Sequence, residues 1–216
     1  MTVKVIIGRK VGMTRVLEED RLVAATVVLA EPNVVLQIKT TDIDGYQAIQ
    51  LGAGDLKGAK KPQLGHAKKA GATVGRWAME VPLNEGDDVP ALGSAVEATL
   101  FQTGDIVNVV ATSKGHGFTG TVKRHNFKMG PRSHGSMNVR APGSIGSRYP
   151  QRVIKGRRMP GHYGDERTTV QHLTVLNVLA DQHLIVIKGS IPGVKGTRVE
   201  VHEAPRYAKP KTESVA

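Results

Sequence analysis

The chain has no cysteine and few aromatic residues. Without cysteine it can form no disulfide scaffold, no cysteine-ligated zinc site and no thiol chemistry, which is consistent with a reducing compartment. Aromatic residues make up 4% of its 216 positions, which argues against an RNA-binding sheet that stacks successive bases on aromatic rings. The longest apolar run, residues 22–30, is too short to span a bilayer. We therefore expect no membrane partner.

Positive charge is in excess, and it is concentrated in one segment. Lysine and arginine total 30 against 19 acids, so the net charge is +11. Residues 114–168, called the basic segment below, hold 12 of these cations against Asp165 and Glu166, and therefore carry +10. Such a segment repels itself and buries little apolar surface. It needs a polyanion to fold against, and RNA is the strongest candidate.

Short runs rich in valine, isoleucine, leucine and threonine predict β-strands on both sides of the basic segment. These runs are residues 3–7, 22–29, 34–39, 47–51, 96–101, 106–111, 169–179, 184–188 and 198–202. Residues 173–189 read as a hairpin that turns at 181–182. The pattern predicts a mainly β fold, with a small antiparallel β-barrel, a small α/β lobe and a long basic extended loop.

The predicted organisation has four parts. Residues 1–51, 96–125 and 162–204 form the barrel body, and residues 126–161 form a basic arm inserted in it. Residues 52–95 form the lobe, rich in glycine, alanine and lysine, with a short helix near residues 65–71. Its lysines form either a second basic patch or a solvated face: Lys57, Lys60, Lys61, Lys68 and Lys69. Residues 205–216 are predicted to be a disordered tail.

Residues 115–120, GHGFTG, match the G-x-G-x-x-G spacing of dinucleotide-binding turns. That spacing needs a helix after it and an acid about twenty residues later. We expect no helix in residues 121–135, and the nearest acid downstream is Asp165, so the pattern does not predict dinucleotide binding. The glycines instead let backbone amides approach a phosphate closely. An enzyme that holds a nucleotide phosphate in this loop is the competing hypothesis.

Four histidines in the basic segment, at positions 116, 125, 134 and 162, raise the question of a metal site. A metal would need a fourth ligand and carboxylate partners, and the surrounding cations would oppose it. We therefore predict no metal and no cofactor, and we expect the imidazoles to stack on bases or to bond phosphates and riboses.

Asp165 and Glu166 are the only candidate catalytic carboxylates in the basic segment. Neighbours on a strand face opposite sides, so the two are poorly placed to act together. A salt bridge to Arg157 or Arg158 is the favoured interpretation, and we predict no enzymatic activity.

Several motifs along the chain resemble one known family. They are GRKVGMTR (8–15), DGYQAIQLG (44–52), KPQLGHAKKAG (61–71), TSKGHGFTGTVKRHNF (112–127), SHGS (133–136), PGSIG (142–146), KGRRMPGHYG (155–164), ERTTVQ (166–171) and KGSIPG (188–193). In this order they are similar to the motifs of bacterial large-subunit ribosomal protein L three, and they span most of the chain.

The resemblance implies a cytoplasmic protein of the ribosome, with a β-barrel body on the outside of the large subunit. It implies an arm that threads into large-subunit rRNA toward the peptidyl transferase centre, binding near the 3′ end of that rRNA, and an early role in assembly. The implied protein neighbours belong to the L fourteen and L nineteen families, and the chain is not expected to form a homo-oligomer. A nucleic-acid-binding protein outside the ribosome is the remaining alternative.

The residues expected to bind rRNA are cations, histidines and one tyrosine. They are Lys10, Arg15, Lys114, His116, Lys123, Arg124, His125, Lys128, Arg132, His134, Arg140, Arg148, Tyr149, Arg152, Lys155, Arg157, Arg158 and His162. Arg148 and Tyr149 lie at the expected tip of the arm and should make its deepest contacts.

The chain departs from the family pattern at three places. His116 stands where the family commonly has lysine, and His125 stands where it commonly has tryptophan. At the tip, GSIGSRYPQ lacks the glutamine that some bacterial relatives methylate, because none stands near Ser147–Tyr149 and Gln151 is out of register. We therefore expect no modification there.

Overall fold

The computed structural model describes residues 4–18, 20–83 and 88–204. The chain divides into two compact units. Of the described residues, the body contains those up to Thr112 together with those from Arg167 onward, and the basic unit is Ser113–Glu166. The tail predicted at 205–216 lies outside the described residues.

The described residues are mainly in β-strands, joined by short helices and turns. In chain order the elements are β1 (Val5–Glu18), β2 (Arg21–Leu29), β3 (Asn33–Lys39), α1 (Thr41–Asp44), β4 (Ala48–Asp55), α2 (Lys61–Lys69), β5 (Gly75–Pro82), β6 (Ala95–Val96), β7 (Ile106–Thr112), β8 (Phe118–Thr119), α3 (Thr121–His125), β9 (Gly161–His162), β10 (Arg167–Leu179), β11 (Leu184–Lys188) and β12 (Arg198–Glu203). Within this part of the chain, no helix is long and apolar enough to cross a membrane.

Six strands of the body close into an antiparallel barrel in the order β1-β12-β7-β10-β11-β2. Successive side chains of a strand point to opposite faces, so alternate β-branched residues fill the interior. Val107 and Val109 of β7 and Ile185 and Ile187 of β11 lie fully buried there, together with Phe101. Burying each such side chain contributes about 1.5–3 kcal/mol to the stability of the folded protein. The predicted antiparallel barrel therefore encloses much of the body's apolar core.

A second sheet of the body, in the order β5-β4-β3-β6, packs against the first strand of the barrel. Ile6 of β1 points into the barrel, whereas its neighbours Val5 and Ile7 join a separate cluster with apolar side chains of β3, β4 and β5. The strands between residues 33 and 55 therefore pair with β5 and β6 and stand outside the closed barrel.

The predicted hairpin at residues 173–189 is confirmed. Strands β10 and β11 pair with Leu179 opposite Leu184, and a short 3₁₀ turn covers Ala180–Gln182. His183 ends this turn in the left-handed region, with φ of 54°. The turn lies where the alternation of apolar residues is interrupted, and this interruption allowed the turn to be predicted from the sequence.

The prediction of a strand at residues 96–101 was wrong for most of that range. Strand β6 stops at Val96, and a 3₁₀ turn follows at Ala98–Leu100. The turn directs Ala98 and Phe101 into the barrel core, so tertiary packing overrides the apolar run. The sequence interpretation also missed β5 entirely.

The helix expected near residues 65–71 begins earlier, at Lys61. Pro62 fits the first turn of α2, where its missing N–H needs no partner. The side-chain oxygen of Gln63 accepts a hydrogen bond from the Lys60 backbone at 2.9 Å, which caps this end. All five lysines of the lobe are exposed, as either a basic patch or a solvated face requires.

Candidate nucleic-acid interface

The basic unit is closed at its base by a short antiparallel ladder between its outgoing and returning chain. The N–H of Ser113 donates to the carbonyl of Glu166 at 2.9 Å, and the N–H of His116 donates to the carbonyl of Tyr163 at 2.8 Å. Tyr163 donates to the carbonyl of Gly117 at 2.9 Å, and β8 then pairs with β9. Backbone hydrogen bonds thus tie the two ends of the unit together.

Two glycines allow close backbone approach inside the unit. Gly164 has φ of 75°, and a Cβ there would lie 2.0 Å from the carbonyl oxygen of Lys114. A Cβ on Gly130 would lie 2.0 Å from the carbonyl oxygen of Asn138, beside the hydrogen bond that Gly130 donates to Val139 at 2.9 Å. Any side chain at either position would push the backbones apart.

One turn of helix follows the glycine-rich run, so the expectation that no helix forms in residues 121–135 was wrong. Helix α3 ends where Asn126 adopts a left-handed conformation, with φ of 57°. Arg124 Nη1 donates to the Met159 carbonyl at 2.9 Å, and His125 Nε2 lies 3.1 Å from the same oxygen. These two half-buried side chains hold the returning chain against α3, a role that their charge alone did not indicate.

Beyond this base, the basic unit has no apolar core of its own. All of its residues are described, and no apolar side chain among them is buried. The buried positions are Thr119, Thr121 and Gly164, while residues 141–158 are all exposed. The unit holds 11 cations against 2 acids, a net charge of +9. A segment this charged gains little from its own contacts and is stabilised by anions that neutralise it.

Most of the residues predicted to bind rRNA are exposed side chains of this unit. They are Lys114, His116, Lys123, Lys128, Arg132, His134, Arg140, Arg148, Tyr149, Arg152, Lys155, Arg157, Arg158 and His162. Arg157 donates to the carbonyl of Ser144, which connects the two sides of the segment near the expected tip. At that tip the Arg148 guanidinium lies 6.0 Å from the ring centroid of Tyr149.

Lys10 and Arg15 lie in the body, on β1. Lys10 is only 8% exposed, and its Nζ donates to the carbonyls of Ile191 at 2.8 Å and Gly193 at 3.0 Å. Because two carbonyl groups already engage this ammonium, we leave Lys10 out of the proposed interface. Arg15 is exposed on the β1–β2 hairpin.

The histidines of the basic unit take part in separate contacts. The ring of His116 stacks on that of Tyr163, with centroids 5.2 Å apart and planes inclined by 25°. Among the described residues, no three histidine or acidic side chains are grouped so that they could hold a metal ion. The glycine-rich run at 115–120 forms part of an antiparallel ladder, which differs from the strand–turn–helix of a dinucleotide site.

A cluster around Glu200 lies on the body where the chain returns from the basic unit. His202 Nε2 lies 3.7 Å from its carboxylate, Arg167 donates to it at 3.0 Å and Arg198 at 2.7 Å. His202, Arg167 and Arg198 lower the pKa of Glu200 to about 2, against the opposing effect of desolvation. At 3.7 Å the His202 contact is too long for a hydrogen bond, so it acts as an ionic attraction when the imidazole is protonated.

A closed antiparallel barrel with a strongly basic, coreless insertion is typical of a structural protein that binds nucleic acid. Comparison with known proteins identifies the family to which the chain belongs. The family model described as Ribosomal protein L3 matches residues 79–182. The chain belongs to this ribosomal protein L3 family, whose members are structural proteins of the large ribosomal subunit and not enzymes.

The relatives match the chain over nearly its whole length. It is 46% identical over 202 residues to the large ribosomal subunit protein uL3 of Shouchella clausii (strain KSM-K16). The aligned region covers 93% of this chain and 98% of that protein. It is 48% identical over 198 residues to that of Heliobacterium modesticaldum (strain ATCC 51547 / Ice1), covering 90% and 94% respectively. It is 41% identical over 213 residues to that of Petrotoga mobilis (strain DSM 10674 / SJ95), covering 97% and 100%. The chain is accordingly a large-subunit protein located in the ribosome.

Proposed function

We propose that the chain binds large-subunit rRNA directly, and that the basic unit provides most of the contact. The observation that carries this proposal is the combination of a net charge of +9 with the absence of any buried apolar side chain in Ser113–Glu166. Phosphates would neutralise the cations and release counterions, which supplies the binding free energy that apolar burial does not. The exposed cations listed above are the proposed contact residues, with Arg15 as a separate contact on the body.

Residues 126–161 are the proposed arm, which enters the rRNA toward the peptidyl transferase centre. In this proposal rRNA helices close around the arm, and Arg148 and Tyr149 make the deepest contacts. Support comes from residues 141–158, where every side chain is exposed and the cations recur every few positions. Arginine next to an exposed aromatic ring suits a site where phosphates and unpaired bases meet.

The body is proposed to bind near the 3′ end of the large-subunit rRNA and to act early in subunit assembly. Proteins of the L fourteen and L nineteen families are the proposed neighbours, with one copy of the chain in each subunit. These finer assignments rest on the family to which the chain belongs. Reconstitution of large subunits with and without the protein, followed by chemical probing of the rRNA, tests them. Protection confined to regions far from the 3′ end would refute the assigned position.

Two matched triple variants test which surface carries the binding. The first changes Arg132, Arg140 and Arg152 to glutamine, and the second changes Lys57, Lys61 and Lys68 to glutamine. Each removes three exposed cations, one set from the basic unit and one from the lobe. Both proteins are bound to large-subunit rRNA over a range of salt concentrations.

We expect the basic-unit variant to lower the magnitude of the log–log salt slope by about 2–3, because three phosphate contacts are lost. The lobe variant should leave the slope unchanged. An unchanged slope for the basic-unit variant would refute the proposed interface, and a reduced slope for the lobe variant would show that the lobe lysines also meet phosphates. Wild-type protein should sediment with large subunits and dissociate only at high salt.

A further inference from the structure

Phe118 is an exposed aromatic side chain at the base of the basic unit. It lies in β8 and is 79% exposed, although the next residue, Thr119, is buried. Its partner directly across the ladder is His162 of β9, which is also exposed. Side chains of directly opposed residues project from the same face of an antiparallel pair, about 4.5–5.5 Å apart at Cβ. The two aromatic side chains are therefore neighbours on one solvent-exposed surface of the ladder.

The backbone beneath this surface is held in place on both sides. His116 and Tyr163 are joined by a backbone hydrogen bond of 2.8 Å, and their rings stack with centroids 5.2 Å apart. On the other side, Arg124 fixes the returning chain at Met159. The surface is thus preorganised, and a ligand that covers it would lose little conformational entropy in ordering it.

The surroundings of Phe118 favour a nucleobase over a protein side chain. The unit around it carries 11 cations against 2 acids, and no apolar side chain in the unit is buried. A protein partner needs a wider apolar patch with few charges at its centre. A base requires only one flat ring, because stacking acts on its π-face, and the attached phosphates are attracted by the nearby cations.

We infer that Phe118 and His162 form a stacking platform for one unpaired nucleobase of the large-subunit rRNA. This inference rests on the proposed function, because it presupposes that the basic unit meets rRNA. It adds an apolar, charge-independent contact to an interface that is described mainly by phosphate neutralisation. Because Phe118 carries no charge, the excess of cations that indicated most of the other contact residues did not indicate this one.

Substitutions at position 118 separate stacking from other contacts. Phe118→Ala removes the ring, Phe118→Leu keeps an apolar side chain without a flat face, and Phe118→Tyr keeps the ring. Leu22→Ala, which truncates an exposed apolar side chain of the body, is the matched control. Dissociation constants for large-subunit rRNA are measured at several salt concentrations.

We expect Phe118→Ala and Phe118→Leu to weaken binding by about 5- to 100-fold, the range for loss of one stacked base. Phe118→Tyr and Leu22→Ala should bind within about twofold of the wild type. The salt slope should be the same for all four variants, because no cation is removed. Wild-type affinity in Phe118→Ala, with the steep salt slope retained, would refute the platform and leave the proposed function standing. A shallow slope in the wild type would instead refute the proposed function.

A photoreactive phenylalanine analogue at position 118, in reconstituted large subunits, identifies the occupant independently. An adduct to an unpaired rRNA nucleotide is expected. An adduct to a ribosomal protein alone, or to a base-paired nucleotide, would overturn the inference. The same analogue at position 22 controls for non-specific capture by exposed positions.

Discussion

Removal of the central part of the basic unit should leave the body folded. The test deletes residues 128–155 and joins the ends with a short glycine–serine linker. The join is sterically reasonable because His125 Nε2 lies 3.1 Å from the Met159 carbonyl, so the two sides of the unit are adjacent there. None of the deleted residues is buried, and none belongs to either apolar cluster of the body.

The expected change in the free energy of unfolding is small. No apolar burial is lost, and surface changes of this kind fall within about 0.5 kcal/mol. Roughly halving a flexible insertion lowers its closure cost by about 0.6 kcal/mol, which slightly favours the deletion variant. Urea unfolding monitored by circular dichroism at high salt should therefore give a free energy of unfolding within about 1 kcal/mol of wild type and a similar dependence on urea.

The control is Ile187→Ala, which truncates a fully buried residue of the barrel. This substitution should lower the free energy of unfolding by about 2–5 kcal/mol. If the deletion destabilises the protein as much as Ile187→Ala, or abolishes the cooperative transition, the basic unit contributes to the core and our account of it is wrong.

Two further predictions concern buried or clustered charges of the body. Lys10→Met should lower the free energy of unfolding by about 2–4 kcal/mol in urea, because the carbonyls of Ile191 and Gly193 lose their buried donor. It should leave rRNA affinity unchanged, so a specific loss of affinity with normal stability would contradict our placement of Lys10. For Glu200, the pKa lies near 4.5 in the unfolded chain and near 2 in the folded protein, so the stabilisation is complete above pH 4.5 and is lost as the pH falls toward 2. Allowing for solvent screening, it amounts to about 1–2 kcal/mol. Glu200→Gln should flatten the acid limb of the stability–pH curve, and an unchanged curve would exclude this cluster as its cause.

The mainly β fold could be predicted because the barrel strands contain short runs rich in β-branched residues. Strands β7 and β11 could be predicted directly from the sequence, because nearly every residue in them suits a strand buried in a barrel wall. Strand β5 was missed because GRWAMEVP lies in a region rich in glycine, alanine and lysine and contains few β-branched residues. Its conformation comes from pairing with β4, which only the folded protein provides.

The charge of the candidate interface was visible in the sequence, but the roles of individual residues were not. Lys10 is buried because the loop containing Ile191 and Gly193 folds over it, a contact between distant parts of the chain. Arg124 and His125 hold the carbonyl of Met159, which composition cannot reveal. Phe118 lies opposite His162 only because two distant parts of the chain pair at the base of the unit.

The salt dependence of rRNA binding tests the central claim most directly. If the ten exposed cations of Ser113–Glu166 all meet phosphates, the log–log slope for the wild type should be roughly −7 to −9. Deletion of residues 128–155 removes six cations and should reduce its magnitude by about 4–5. A wild-type slope near −2, or a slope that the deletion leaves unchanged, would contradict the account.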